Sequence, residues 1–192
     1  IKVWDPASGT CVTTLEGHEN CVNSVAMGRM GDRDVIVSGS QDCKIKVWDP
    51  ASGTCVTTLE GHSAQVRSVA MGRMGDRDVI VSGSWDKTVK VWDPASGACV
   101  TTLEGHSDTV TSVAMGRMGD RDVIVSGSDD TTIKVWDPAS GTCVTTLEGH
   151  ENCVNSVAMG RMGDRDVIVS GSQDCKIKVW DPASGTCVTT LE

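Results

Sequence analysis

The sequence predicts an all-β chain assembled from one small antiparallel sheet repeated end to end. Three observations lead there. Trp-Asp dipeptides stand at Trp4-Asp5, Trp48-Asp49, Trp92-Asp93, Trp136-Asp137 and Trp180-Asp181, a spacing of 44 residues with no insertion or deletion. Each period holds four runs rich in Val, Ile, Thr and Trp with partial period-two alternation, the pattern of strands. Between the runs sit clusters of Gly, Asp, Ser and Pro, where a backbone reverses. No run has helical periodicity.

In the first complete period the strands are expected at 22–27, 34–38, 44–48 and 54–59, here lettered a to d. The a–b turn carries GRMGD, the b–c turn SGSQD and the c–d turn DPASG. Pro50 suits the last, because proline cannot donate to a central ladder. A meander reverses at each turn, so antiparallel connectivity alone puts the a–b and c–d turns at one end of the sheet. The b–c turn and the d–a crossing then share the other end. The chain divides into a half unit at 1–16 (strands c and d) and complete units at 19–60, 63–104, 107–148 and 151–192. Each unit is one small sheet that buries its faces only against its neighbours, so all belong to one domain or part of one.

Composition excludes several function classes. The net charge of −9 argues against a nucleic-acid partner, which needs a basic patch. Lys and Arg are interleaved with Asp, as in GRMGDRD, so no basic stripe is hidden in the acidic average. No apolar run approaches the roughly 20 residues of a membrane span, and no signal peptide is visible. Of nine cysteines, Cys11, Cys55, Cys99, Cys143 and Cys187 recur at one repeat position inside an apolar run and are expected to be small buried hydrophobes. The count is odd and no Cys-x-x-Cys spacing suggests zinc. A cytoplasmic, reducing compartment is the expectation, with no metal and no cofactor.

Gly-His dipeptides at Gly17-His18, Gly61-His62, Gly105-His106 and Gly149-His150 stand in constant register with the Trp-Asp pairs. On these residues the whole chain resembles the WD-40 repeat β-propeller family, in which each period is one four-stranded blade. The resemblance implies a buried hydrogen-bonded chain in each blade: His18, Ser38, Asp42 and Trp48; His62, Ser82, Asp86 and Trp92; His106, Ser126, Asp130 and Trp136; His150, Ser170, Asp174 and Trp180. Donor counting agrees. Tryptophan only donates, ionised aspartate only accepts, and serine and histidine do both. Ser, His and Asp are also the parts of a hydrolase triad. A catalytic set needs one shaped pocket, however, whereas this set recurs in every unit. No catalytic residue is assigned, and the chain is expected not to be an enzyme.

The units differ in two short windows, apart from Ile/Val at 45, 89, 133 and 177 and Thr/Ala at 54, 98, 142 and 186. One window follows Gly-His and the other is the b–c turn, so both lie at the same end of the blade. A binding face is expected there, built from Asn20, Cys21, Asn23, Gln65, Arg67, Trp85, Lys87, Asp108, Thr111, Asp129 and Thr131. The opposite turns do not vary, although relaxed constraint on loops would have let them. The expected function is a non-catalytic scaffold that recognises a protein or peptide ligand on the variable face. Near-identical units varied on one face are similar to the propeller ends of fungal incompatibility proteins and other immune-type receptors. The alternative is an engineered or excised array for propeller assembly, with no ligand of its own. Four complete blades are few for a propeller, and residues 1–60 are identical to 133–192. Self-association into a closed ring of about eight or nine blades, or membership of a longer array, is therefore expected.

Overall fold

Strand b carries the run Val-Ile-Val-Ser-Gly-Ser in every unit, and in the first three complete blades it has a neighbour on both faces. That is why it shows no clean alternation: in the first complete blade Val35 through Ser40 are all buried. The computed structural model, which describes residues 1–192, contains eighteen strands and no helix. No helix is long and apolar enough to cross a membrane.

The half blade pairs β1 (Lys2–Trp4) with β2 (Cys11–Thr14). Four antiparallel sheets follow in meander order. They are β3 (Val22–Met30), β4 (Arg33–Ser40), β5 (Ile45–Trp48) and β6 (Cys55–Leu59); then β7 (Val66–Met74), β8 (Arg77–Ser84), β9 (Val89–Trp92) and β10 (Cys99–Leu103); then β11 (Val110–Met118), β12 (Arg121–Ser128), β13 (Ile133–Asp137) and β14 (Thr142–Leu147); and finally β15 (Val154–Met162), β16 (Arg165–Ser172), β17 (Ile177–Asp181) and β18 (Thr186–Leu191). These are propeller blades stacked through their innermost strands: β3 lies against β7, β7 against β11, and β11 against β15.

Strands a and b run longer than the sequence suggests. They continue through GRM and RD to a two-residue turn, Gly31-Asp32, with Met30 opposite Arg33. Arg29 and Asp34 face each other across the ladder and form an ion pair at 3.6 Å. The glycine that looked like a turn residue serves packing instead. A Cβ on Gly28 would lie 2.5 Å from Met71 Sδ of the next blade.

The core sits in the seams between blades. On strand b, Val35 and Val37 face the following blade and Ile36 faces the preceding one. The first seam joins Val35, Val37, Ile45, Val47 and Leu59 to Val66, Val69, Ile80 and Trp92. The next two seams repeat this set residue for residue, allowing for Ile/Val exchange. Burying such side chains stabilises by about 1.5–3 kcal/mol each, so the seam rather than the single sheet is the unit of stability. The half blade lays Leu15, Ile1 and Val3 on Ile36 and Trp48, where strands c and d of a preceding blade would lie.

One expectation is corrected. Cys11, Cys55, Cys99, Cys143 and Cys187 are exposed, not buried. Strand d is the outermost strand of its sheet, and it begins exposed at Cys55 and reaches the seam only at its far end, Leu59. The thiol there donates to the Thr57 carbonyl at 3.5 Å.

Candidate functional site: the variable rim and its buried anchors

The site is built from beneath. In the second complete blade Trp92 Nε1–H donates to Ser82 Oγ at 2.8 Å, Ser82 Oγ lies 2.7 Å from His62 Nε2, and His62 Nδ1 lies 2.7 Å from Asp86 Oδ2. Equivalent contacts join Trp48, Ser38, His18 and Asp42; Trp136, Ser126, His106 and Asp130; and Trp180, Ser170, His150 and Asp174, all at 2.7 to 2.8 Å. One assignment of protons satisfies every member. Neutral histidine donates from Nδ1 to the carboxylate and accepts the serine O–H at Nε2, while serine accepts from tryptophan. No buried side-chain nitrogen or oxygen lacks a partner. Histidine and tryptophan also meet edge to face at 5.9 to 6.0 Å. Gly61 is required beside them: its φ is +152° and an added Cβ would lie 3.2 Å from the Trp92 ring. Ser82 is fully buried with its hydroxyl engaged on both sides, so this set offers no nucleophile to a substrate.

Each aspartate carries the chain outward to the rim. Asp86 Oδ2 also accepts from Ser63 N–H at 3.1 Å, and Oδ1 accepts from Thr88 N–H at 3.0 Å and Thr88 Oγ1–H at 2.7 Å. Burial pushes the Asp86 and Asp130 carboxyls up, but the bonds from His62 and Thr88, or from His106 and Thr132, outweigh it and hold both well below the usual carboxylate range. Asp174 and Asp42 are likewise held low against burial, by His150 and His18 and by backbone N–H groups. A second serine, not singled out from sequence, works beside each aspartate. Ser40, Ser84, Ser128 and Ser172 donate to the carbonyls of Asn20, Ala64, Asp108 and Asn152, and accept the N–H of the turn aspartate. The recurrent Ser-x-Asp in every b–c turn was the available signal. These anchors grip both variable windows by main-chain groups, and the side chains there are free to differ.

The b–c turn has a second feature invisible in sequence. Cys43, Lys87, Thr131 and Cys175 have φ of +67°, +70°, +71° and +66°. Left-handed backbone is costly for any residue with a Cβ, and most of all for a β-branched one such as threonine.

The expected binding-face residues all lie at the end of the b–c turns and d–a crossings, but in two different states. Asn20, Cys21, Arg67, Trp85, Lys87 and Asp108 are exposed. Gln65, Asn23, Thr111, Asp129 and Thr131 are half-buried. Asn23 Nδ2–H donates to the Val66 carbonyl of the next blade at 2.9 Å, and Thr111 Oγ1–H bonds the Val154 carbonyl. Arg67, at the same repeat position, instead places its guanidinium over the Trp85 ring, 6.0 Å from the centroid. Lys87 Nζ donates to the Ser107 carbonyl of the next blade at 2.8 Å.

The repeat family described as WD domain, G-beta repeat matches residues 9–49, 53–93, 97–137 and 141–181. A search of curated proteins returned no match.

Proposed function

The chain belongs to the WD-repeat family, and from that premise we propose that its variable rim recognises a protein or peptide partner, presented by a frame that the buried Asp–His–Ser–Trp chains hold rigid. WD repeats generally act as protein-interaction scaffolds and are typically non-enzymatic. One observation carries the finer reading. The residue after each turn aspartate is left-handed in all four blades and is Cys, Lys, Thr or Cys, never Gly or Asn. Those two fit that backbone at least cost. Strain retained under changing side chains points to a use for the side chains themselves. The invariant end supplies a control, because part of its constancy has a packing cause: Gly31 N–H donates to Asp78 Oδ2 of the next blade at 2.8 Å.

The test is a partner's footprint. Cross-linking from the chain should place a captured partner on the b–c turns and d–a crossings. A chain with all its variable windows set to those of residues 151–192 should release that partner. Docking on the GRMGDRD and DPASG turns would refute the reading.

A second reading concerns assembly. Ile177 is 46% exposed and Leu191 52%, whereas their counterparts Ile45 and Leu59 are buried against the following blade. At the other end Val25 is 55% exposed and Met27 73%, though Val69 is buried. A Cβ on Gly171 would meet nothing, but on Gly39 it would lie 2.6 Å from Val66 Cγ1. These faces match the two sides of the seams already formed. We propose that they seat further blades of the same repeat, supplied by continuing chain or by a second copy.

A further inference from the structure

The two variable windows carry a charge pattern that changes from blade to blade. In the first complete blade Glu19 and Lys44 cancel, and in the fourth Glu151 and Lys176 cancel. At the positions that vary, the second blade holds Arg67 and Lys87 with no acid, and the third holds Asp108 and Asp129 with no base; the constant turn aspartates, Asp86 and Asp130, are bonded inward to His62 and His106. A pair of positive variable residues therefore stands beside a pair of negative ones.

The structure keeps them from neutralising each other. Lys44 is paired with Glu60 at 3.1 Å and Lys176 with Glu151 at 3.9 Å, but none of the four charges on the middle blades has an ion-pair partner. Lys87 reaches the third blade yet bonds the Ser107 carbonyl rather than a carboxylate. Asp108 Oδ1 accepts from Thr109 N–H at 2.7 Å within its own turn. Burial pushes the Cys153 thiol of the fourth blade up, and Asp129 and then Asp108 push it further, so both carboxylates are felt at the seam away from Lys87. On the positive side Trp85 is 48% exposed and the Arg67 guanidinium rests over it. A stacked guanidinium is pre-oriented and keeps its N–H fork free for a carboxylate. An exposed tryptophan beside an arginine is also the composition of a binding hot spot.

We infer that the rim takes an extended peptide segment of alternating charge, seating a carboxylate on Arg67 and Lys87 against the Trp85 indole and a basic side chain one blade further, between Asp108 and Asp129. The inference rests on the recognition reading above and adds the partner's chemistry to it. Complementarity of this kind selects among partners and sets their direction along the rim.

A phage-displayed random dodecapeptide library panned on the 192-residue chain tests it. The selected peptides should carry an acidic residue and, a few positions away, a basic one. Arg67→Asp with Lys87→Asp should weaken them about tenfold or more, as should Asp108→Arg with Asp129→Lys. The chain with all four changes should select the opposite charge order, a gain that misfolding cannot produce. Peptides that need Trp85 but tolerate the charge reversals overturn this inference and leave the recognition reading standing. A library that yields no peptide able to tell the wild-type chain from one with four identical window pairs overturns both.

Discussion

Asp86→Ala separates a buried anchor from a surface residue. The wild-type carboxylate accepts from His62 Nδ1–H, Ser63 N–H, Thr88 N–H and Thr88 Oγ1–H at 2.7 to 3.1 Å, and its side chain is only 8% exposed. Alanine orphans one donor that no water reaches, because the His62 side chain is fully buried. That costs about 1–3 kcal/mol. Ser63 is exposed and Thr88 half-buried, so water replaces part of what they lose, and their share is about 1 kcal/mol. The expected loss is about 2–4 kcal/mol, the sum of these two terms. The Asp108 carboxylate bonds only within its own exposed turn, and Asp108→Ala, which leaves the main-chain carbonyl in place, should change stability by no more than about 0.5 kcal/mol. Urea denaturation followed by far-ultraviolet circular dichroism compares the two, supported by amide exchange across residues 82–92, where the loss should concentrate. Equal losses for the two variants, or exchange unchanged at 82–92 in Asp86→Ala, would refute the anchoring role.

Asp42, Asp86, Asp130 and Asp174 are all held below the ordinary carboxylate range, so the unfolded chain takes up protons first. Their contribution should be complete above the unfolded value of about 3.9 and lost as pH falls through the lower folded values; stability that stays flat in titrations from pH 7 to 3 would contradict this. Thr131→Gly should relieve left-handed strain at φ +71°, raising stability by a net of about 0.5–1 kcal/mol once the greater freedom of unfolded glycine is deducted, and a destabilised variant would show that the turn is not strained. The purified 192-residue chain should scatter light as a species heavier than 20.2 kDa, with Ile177→Glu shifting it toward that mass. A compact monodisperse monomer would defeat the seating of a second copy.

The Trp-Asp and Gly-His register was enough to define the blades and their meander, because a strict period leaves each unit only one way to pair its own strands. It also sorted the variable windows to one end, since antiparallel connectivity alone decides which turns share a rim. The four-residue chain was legible for a different reason: its members recur in every unit and their donors and acceptors balance. What one repeat sees of the next could not be read this way. Asn23 and Thr111 are engaged with the following blade, whereas Arg67 at the same position is turned onto Trp85 of its own blade, a difference that the shared repeat position does not announce. The d-strand cysteines have an apolar run around them and solvent beside them, because only the stack shows that strand d lies outermost. The left-handed residue of the b–c turn carries no glycine or asparagine to announce it. The geometry there is imposed from below, where a buried carboxylate and a serine grip the main chain on both sides of the turn.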